Sequence, residues 1–248
     1  MKEEIIVLDQ FSAVGILTHG TPGRDLPLII LYNAGLVHRP AQGRLHVKLA
    51  RELASAGYFV FRFDYDGQGD SLARTVRPGE QRGDYMKGVL NSLEKKTNCE
   101  RFVLAGICAG AEDAYTTGLA DARVAGVVMI NGTGLEEATY DALNPESKRR
   151  FQARHGKMEA HDAGPTGNTD MVCITDPFKK LRDNQVSLLL ILSEGSQMYD
   201  LVCLAYERND TGMPAHIFMK GVDHIISPIW AQRELINTIK EWCDGLYK

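Results

Sequence analysis

The chain has 248 residues, 44% of them hydrophobic and 24% charged, with a formal net charge of −4. This composition excludes a disordered, collagen-like or disulfide-stapled protein, and the length suits one α/β domain spanning 1–248. Lysine and arginine are scattered without a basic stripe, which speaks against a nucleic-acid partner. The longest apolar run, 186–192, falls far short of the roughly 20 residues of a membrane span.

The N-terminus, MKEEIIVLDQ, carries acidic residues where a signal peptide needs an apolar core. The five cysteines (Cys99, Cys108, Cys173, Cys203 and Cys243) are odd in number and form no C-x-x-C pair. A soluble, cytoplasmic protein with reduced thiols, no metal site and no cofactor is expected. The N-x-T sequons at Asn131 and Asn209 are then chance matches.

In chain order, EIIVLD (4–9) and FSAVGILT (11–18) read as strands, followed by a turn in HGTPGRD. PLIILY (27–32) is a continuous apolar run bounded by turn signals, as in a buried parallel strand. Leu45, Leu49, Leu53 and Ala54 recur at helical spacing within 41–57, and Gly57 stops that helix. Strands are predicted at 58–63, 101–105, 124–130, 186–192 and 215–219, and helices at 82–96, 111–120 and 227–246. Strands alternating with helices imply βαβ units and a mostly parallel sheet. The rhythm lapses over 135–184, a polar stretch expected to be an inserted lid.

Gly106-Ile107-Cys108-Ala109-Gly110 lies between the strand RFVLA and a helix. This is the G-x-S-x-G nucleophile elbow with cysteine in the nucleophile slot. A sharp strand-to-helix turn lifts the nucleophile above the sheet edge, and glycines are needed where side chains would collide. The helix N-terminus beneath favours developing negative charge. The plainer alternative is a small buried cysteine at a tight turn.

From these residues, and from YNAGLVHRPAQGRLHVKLARELASAGYFVFRFDYDGQGDS, the chain resembles the α/β-hydrolase superfamily over nearly its whole length. Within it, the chain looks like serine-aminopeptidase-like hydrolases and those associated with exosortase clusters, members of which carry cysteine at the elbow. Dienelactone hydrolases and polyhydroxyalkanoate synthases do so too. The resemblance implies the order nucleophile, acid, histidine.

His224, in KGVDHIIS after the last strand, fits the histidine. Met198 stands where relatives commonly have the aspartate, so the acid falls to Asp200 first or to Glu194. An N-cap of the following helix would use Asp200 equally well. For the oxyanion hole the resemblance implies the Ala109 and Leu36 amides. In that loop Gly35 allows close approach, Asn33 replaces the usual histidine, and His38 and Arg39 either reach the pocket mouth or stay solvated.

The resemblance also makes Asp64 to Ser71, a D-x-x-G-x-G-x-S loop, a structural turn beside the site and not a metal or phosphate loop. Within the lid, Arg149, Arg150, Arg154, His155, Lys157 and His161 either recognise an anionic substrate or form a solvated face; a charge run favours the latter.

The function implied is acyl transfer by a Cys-His-Asp triad on a small or carrier-bound ester, thioester or lactone, with hydrolysis as the default outcome. Alternatives are an acyltransferase or cyclase that excludes water, a non-catalytic binding protein that kept the fold, and a thiol redox sensor. The oligomeric state is left open.

Overall fold

The computed structural model describes residues 1–8, 13–73, 82–156, 176–207 and 213–247. The chain opens with β1 (Glu3–Leu8), β2 (Ala13–Thr18) and β3 (Leu28–Tyr32). A 3-10 turn leads into α1 (Leu45–Ser55), then come β4 (Val60–Asp64), α2 (Arg82–Thr97), β5 (Phe102–Ile107), α3 (Ala109–Ala120) and β6 (Val124–Ile130). The remainder is α4 (Glu137–Arg154), α5 (Lys179–Asp183), β7 (Ser187–Gly195), α6 (Gln197–Glu207), β8 (His216–Asp223) and α7 (Ile229–Tyr247).

Among the described residues eight strands form one sheet in the order β1-β2-β4-β3-β5-β6-β7-β8. β1 pairs antiparallel with β2 and β2 with β4, and every later pairing is parallel. This is the α/β-hydrolase fold, with helices against both faces of a mostly parallel sheet. Alternation along each strand sorts the core. Leu28, Ile30, Tyr32, Phe102 and Leu104 face the side of α2 and α3, and Ile29, Leu31, Val103 and Ala105 face the side of α1 and α7.

The strands found match the apolar runs, with β5, β7 and β8 each running on past them into the residues that carry the site. The stretch expected to be irregular holds an 18-residue helix, α4, besides α5. Its only buried residues are Leu143 and Ser147 and it contains Pro145, so it has no apolar stripe from which to read a helix. It is stabilised instead by docking on α6 through Leu143, Leu201, Leu204 and Ala205. Residues 157–175, with Lys157, His161 and Cys173, lie outside the described residues, as does Asn209.

The loop after β4 is a structural turn. Asp64 is fully buried and accepts hydrogen bonds from the Arg39 backbone (2.6 Å), the Arg39 guanidinium and Asn33 Nδ2 (3.2 Å). Ser71 Oγ donates to the Asp64 carbonyl (2.7 Å) and accepts from Val14 N (2.8 Å), tying the turn to β2. Gly69 has φ +53°, and a Cβ there would sit 2.3 Å from Asp64 Oδ2.

Close packing of β5 on α3 sets where the elbow stands. A Cβ on Gly106 would lie 2.0 Å from the Gly110 carbonyl oxygen, and one on Gly110 would lie 2.4 Å from the Asn33 oxygen. Gly106→Ala is therefore expected to lower stability by about 3 kcal/mol in urea unfolding. Gly245→Ala, with nothing within 4 Å of the added methyl group, should leave stability unchanged or raise it slightly.

Candidate active site

Cys108 occupies the step between β5 and α3 with φ 56° and ψ −121°. Non-glycine residues reach this region at a cost of about 1–3 kcal/mol, which the surrounding contacts must offset. Cys108 N–H donates to the Ile130 carbonyl (2.9 Å), and the Cys108 carbonyl accepts from Ala111 N (2.9 Å) and Glu112 N (3.3 Å). The turn is thus held on both sides, and the half-buried thiol projects at the head of α3.

Desolvation pushes the Cys108 thiol above its ordinary pKa. The Ala109 backbone N–H opposes that shift, and the Glu112 carboxylate adds to it. Glu112 is itself pushed up by burial, although it accepts from Thr133 N (2.7 Å), Thr133 Oγ1 (3.1 Å) and Gly134 N (3.1 Å). Those bonds fix the loop that follows β6.

His224 follows β8 in a turn shaped by Asp223, whose Oδ1 accepts from Ile225 N (3.1 Å) and Ser227 N (2.9 Å). Asn131, at the end of β6 with φ +53°, reaches across two strand ends. Its Nδ2 donates to the His224 carbonyl (2.7 Å) and Ser193 Oγ (2.8 Å), and its Oδ1 accepts from Ser193 N (2.8 Å). Ser193 Oγ donates on to the Asp223 carbonyl (3.0 Å). The histidine backbone is therefore tied to β6 and β7. Asn131 is 1% exposed, so its sequon is closed to glycosylation.

The side chain beside the imidazole is a serine. Ser196 Oγ lies 2.7 Å from His224 Nδ1 and accepts from Met198 N (3.2 Å), which makes Ser196 the N-cap of α6. A hydroxyl can donate or accept, so Ser196 accommodates either tautomer; with Nδ1 protonated, Nε2 on the other side of the ring is free to act as a base. Burial of the ring lowers the His224 pKa, and the Asp223 charge only partly opposes this.

The two carboxylates expected to hold the imidazole are engaged elsewhere. Asp200 is 6% exposed and accepts from Arg154 Nη2 (2.7 Å), and Glu194 Oε2 accepts from Gly221 N (2.7 Å). Arg154, near the end of α4, also donates to the Glu194 carbonyl and to the Ser196 carbonyl (3.4 Å). Its guanidinium lies over the rings of Phe151 and Tyr199, each 5.4 Å from the centroid. Asp200 and Arg154 thus clamp α4 onto the turn that presents Ser196. Arg150 pairs with Glu146 and Glu207, so it too is spent within the α4–α6 seam.

Cys108, Ala109 and His224 line one cleft of about 540 Å³, whose apolar wall includes Leu119, Leu135 and Met198. None of residues 33–38 lines it. Asn33 is buried and its Nδ2 pins the Phe63 carbonyl (2.8 Å) as well as Asp64, while Gly35 and His38 are exposed. Leu36 is 83% exposed. Arg39 pairs with Asp64 and Asp70, away from the cleft wall. Among the described residues no group of three or more His, Cys, Asp or Glu side chains could hold a metal, and no helix is long and apolar enough to cross a membrane.

Ser196 and Asn131 escape sequence reasoning about catalysis, since serine and asparagine at loop starts carry no signal beyond capping and turns. The helix-cap signal does fall on the β7–α6 junction, at Ser196 and not at Asp200.

Comparison of the fold finds solved structures that match nearly end to end. Dienelactone hydrolase from Anabaena variabilis aligns at TM-score 0.61 and 14% identity, covering 97% of this chain and 96% of its own. Mouse alpha/beta hydrolase domain-containing protein 10 aligns at TM-score 0.61 and 17% identity, covering 99% and 100%. Proline iminopeptidase from Mycobacterium smegmatis aligns at TM-score 0.56 and 14% identity, covering 98% of each chain. No protein-family profile matches the chain and no curated protein matches its sequence. At these identities the likeness defines the fold as that of the α/β hydrolases and leaves the chemistry to the site.

If Asp200 served the clamp and not the imidazole, Asp200→Asn would keep acylation of Cys108 by an activated ester within about tenfold of wild type. A loss of about 10⁴-fold, the scale for a true triad acid, would return Asp200 to the catalytic role.

Proposed function

We propose that this protein is an acyl-transfer enzyme in which Cys108 forms an acyl-thioester intermediate on an ester, thioester or lactone. The observation that carries this reading is the convergence of an elbow cysteine at positive φ, the Ala109 amide at the head of α3 and His224 on one cleft. The finer resemblance to hydrolases with cysteine at the elbow supports it, as does the fold shared with named hydrolases.

Cys108 Sγ attacks the carbonyl carbon while its proton passes to His224 Nε2. The electron pair of the carbonyl moves to oxygen, where the Ala109 N–H and the N-terminus of α3 oppose the charge. Collapse expels the leaving group, which takes the proton from His224. In the second half the freed imidazole takes a proton from water as hydroxide adds to the acyl carbon; collapse breaks the carbon–sulfur bond, releases the carboxylic acid and returns the proton from His224 to the sulfur.

Burial raises the thiol pKa and lowers that of the imidazole, and both shifts favour a neutral pair at rest. On this reading proton transfer accompanies attack. We place Ser196 where the resemblance implied an aspartate, as the group that orients His224.

We further read residues 135–184 as a lid, with α4 as its described anchor, the substrate as a small or carrier-bound acyl group, and the setting as the cytosol. Under that reading the enzyme uses no cofactor.

Intact-mass measurement after incubation with short acyl thioesters and activated esters tests the central step. Wild type should gain one acyl mass, Cys108→Ala none, and His224→Ala should acylate about 10²- to 10⁴-fold more slowly. Fast loss of the adduct marks a hydrolase and slow loss a transferase. Adducts distributed equally over the other cysteines would remove Cys108 from the nucleophile role.

A further inference from the structure

We infer that the Tyr140 phenol is a catalytic hydrogen-bond donor, completing the oxyanion hole that the Ala109 amide begins in the cleft over Cys108. The inference rests on the acyl-transfer reading above. An oxyanion hole needs two donors aimed at the same oxygen. Ala109 lines the cleft and can supply one, but the loop from Asn33 to Leu36, from which the resemblance drew the second, does not line it.

The cleft's other donors can be taken in turn. Asn131 Nδ2 is spent on Ser193 and the His224 carbonyl. The Tyr115 hydroxyl donates to the Pro177 carbonyl, Thr133 Oγ1 to Glu112, and Thr116 Oγ1 to the Glu112 carbonyl (3.0 Å). Lys180 stands on the short helix α5, where the cleft adjoins a neighbouring groove that it also lines. Tyr140 lines the cleft with Cys108, and its hydroxyl makes no hydrogen bond among the described residues.

Its position is fixed by the fold. Tyr140 lies in the first turn of α4, where its N–H donates to the Glu136 carbonyl (2.9 Å), and its ring packs on the cluster of Leu143, Leu201, Leu204 and Ala205. Tyr140 is half-buried, and its pKa is raised first by desolvation and further by negative charge on the Cys108 sulfur when the thiolate forms. It therefore stays protonated, as a donor must. On attack the Cys108 sulfur–carbon bond forms, the carbonyl pair moves to oxygen, and Tyr140 Oη–H donates to that oxygen without losing its proton. α4 then does more than cover the cleft, because it brings a group to the reacting atoms.

The test compares two reactions at the same sulfur. Acylation by an activated ester builds an oxyanion, whereas alkylation by iodoacetamide does not. Tyr140→Phe keeps the ring on the cluster and removes only the hydroxyl. Expected is a fall of about 100-fold in the acylation rate at saturating ester, with alkylation of Cys108 within about twofold of wild type. Equal loss in both reactions would make Tyr140 a structural residue, and no loss in acylation would leave the second donor elsewhere; either result overturns the inference. Tyr140→Leu, measured the same way, guards against a packing effect particular to phenylalanine, and should repeat the split. A wild type that alkylates but never acylates would overturn the acyl-transfer reading itself, and this inference with it.

Discussion

The turn at Cys108 is the constraint on which the rest of the site depends. With φ 56° and ψ −121° it places a non-glycine residue where the backbone resists going, and it stays there because neighbouring strands leave no alternative. Gly106 and Gly110 allow β5, α3 and β3 to approach more closely than any side chain permits. The Ile130 carbonyl then takes the Cys108 N–H, so β6 shares in holding the turn. Asn131, the next residue, carries that order to β7 and to the His224 loop. A single chain of backbone and amide contacts therefore runs from Cys108 to His224.

The electrostatics of the pair follow from what stands around it. A carboxylate beside Nδ1 would stabilise imidazolium and draw the proton from the thiol. Ser196 supplies a hydrogen bond without charge, and burial pushes the thiol pKa up and the imidazole pKa down. Glu112 acts in the same direction, since its negative charge near Cys108 opposes thiolate. Under the proposed acyl-transfer reading, such a site relies on the polarised carbonyl to drive attack, and a protonated thiol reacts slowly with other electrophiles and oxidants. Asp200, the acid expected beside the imidazole, is bound to Arg154 instead. Through Arg154 it fastens the end of α4 to the turn that presents Ser196, so the segment between β6 and β7 is coupled to the histidine's partner.

The fold was legible because its strands are short apolar runs bounded by turns, and parallel burial needs that pattern. The elbow was legible because a tight strand-to-helix turn demands glycine at fixed offsets, and His224 because a loop after the last strand has few other histidines to offer. Ser196 was not, because its role arises from a distance across two strand ends and its residue type is ordinary at a helix cap. Asp200 looked right by chemistry, although Met198 holds the usual position after Gly195, and one turn into α6 its side chain is committed to Arg154. α4 was invisible for a physical reason: without an apolar stripe, its helicity is decided by the seam with α6. The Leu36 amide was read from register alone, and the loop that carries it lies off the cleft.

The most direct test of a neutral Cys108–His224 pair oriented by serine is a pH titration of the Cys108 thiolate. Ultraviolet thiolate absorbance, taken as the difference between wild type and Cys108→Ser, isolates this cysteine from the others. Expected is a midpoint above the ordinary thiol value of about 8.5 in wild type, falling by about one pH unit or more in Ser196→Asp. The sign is set by charge: a carboxylate beside Nδ1 favours imidazolium, and imidazolium favours thiolate. A wild-type midpoint below neutrality that Ser196→Asp leaves unchanged would mean a preformed ion pair held by another group, and would contradict the neutral relay.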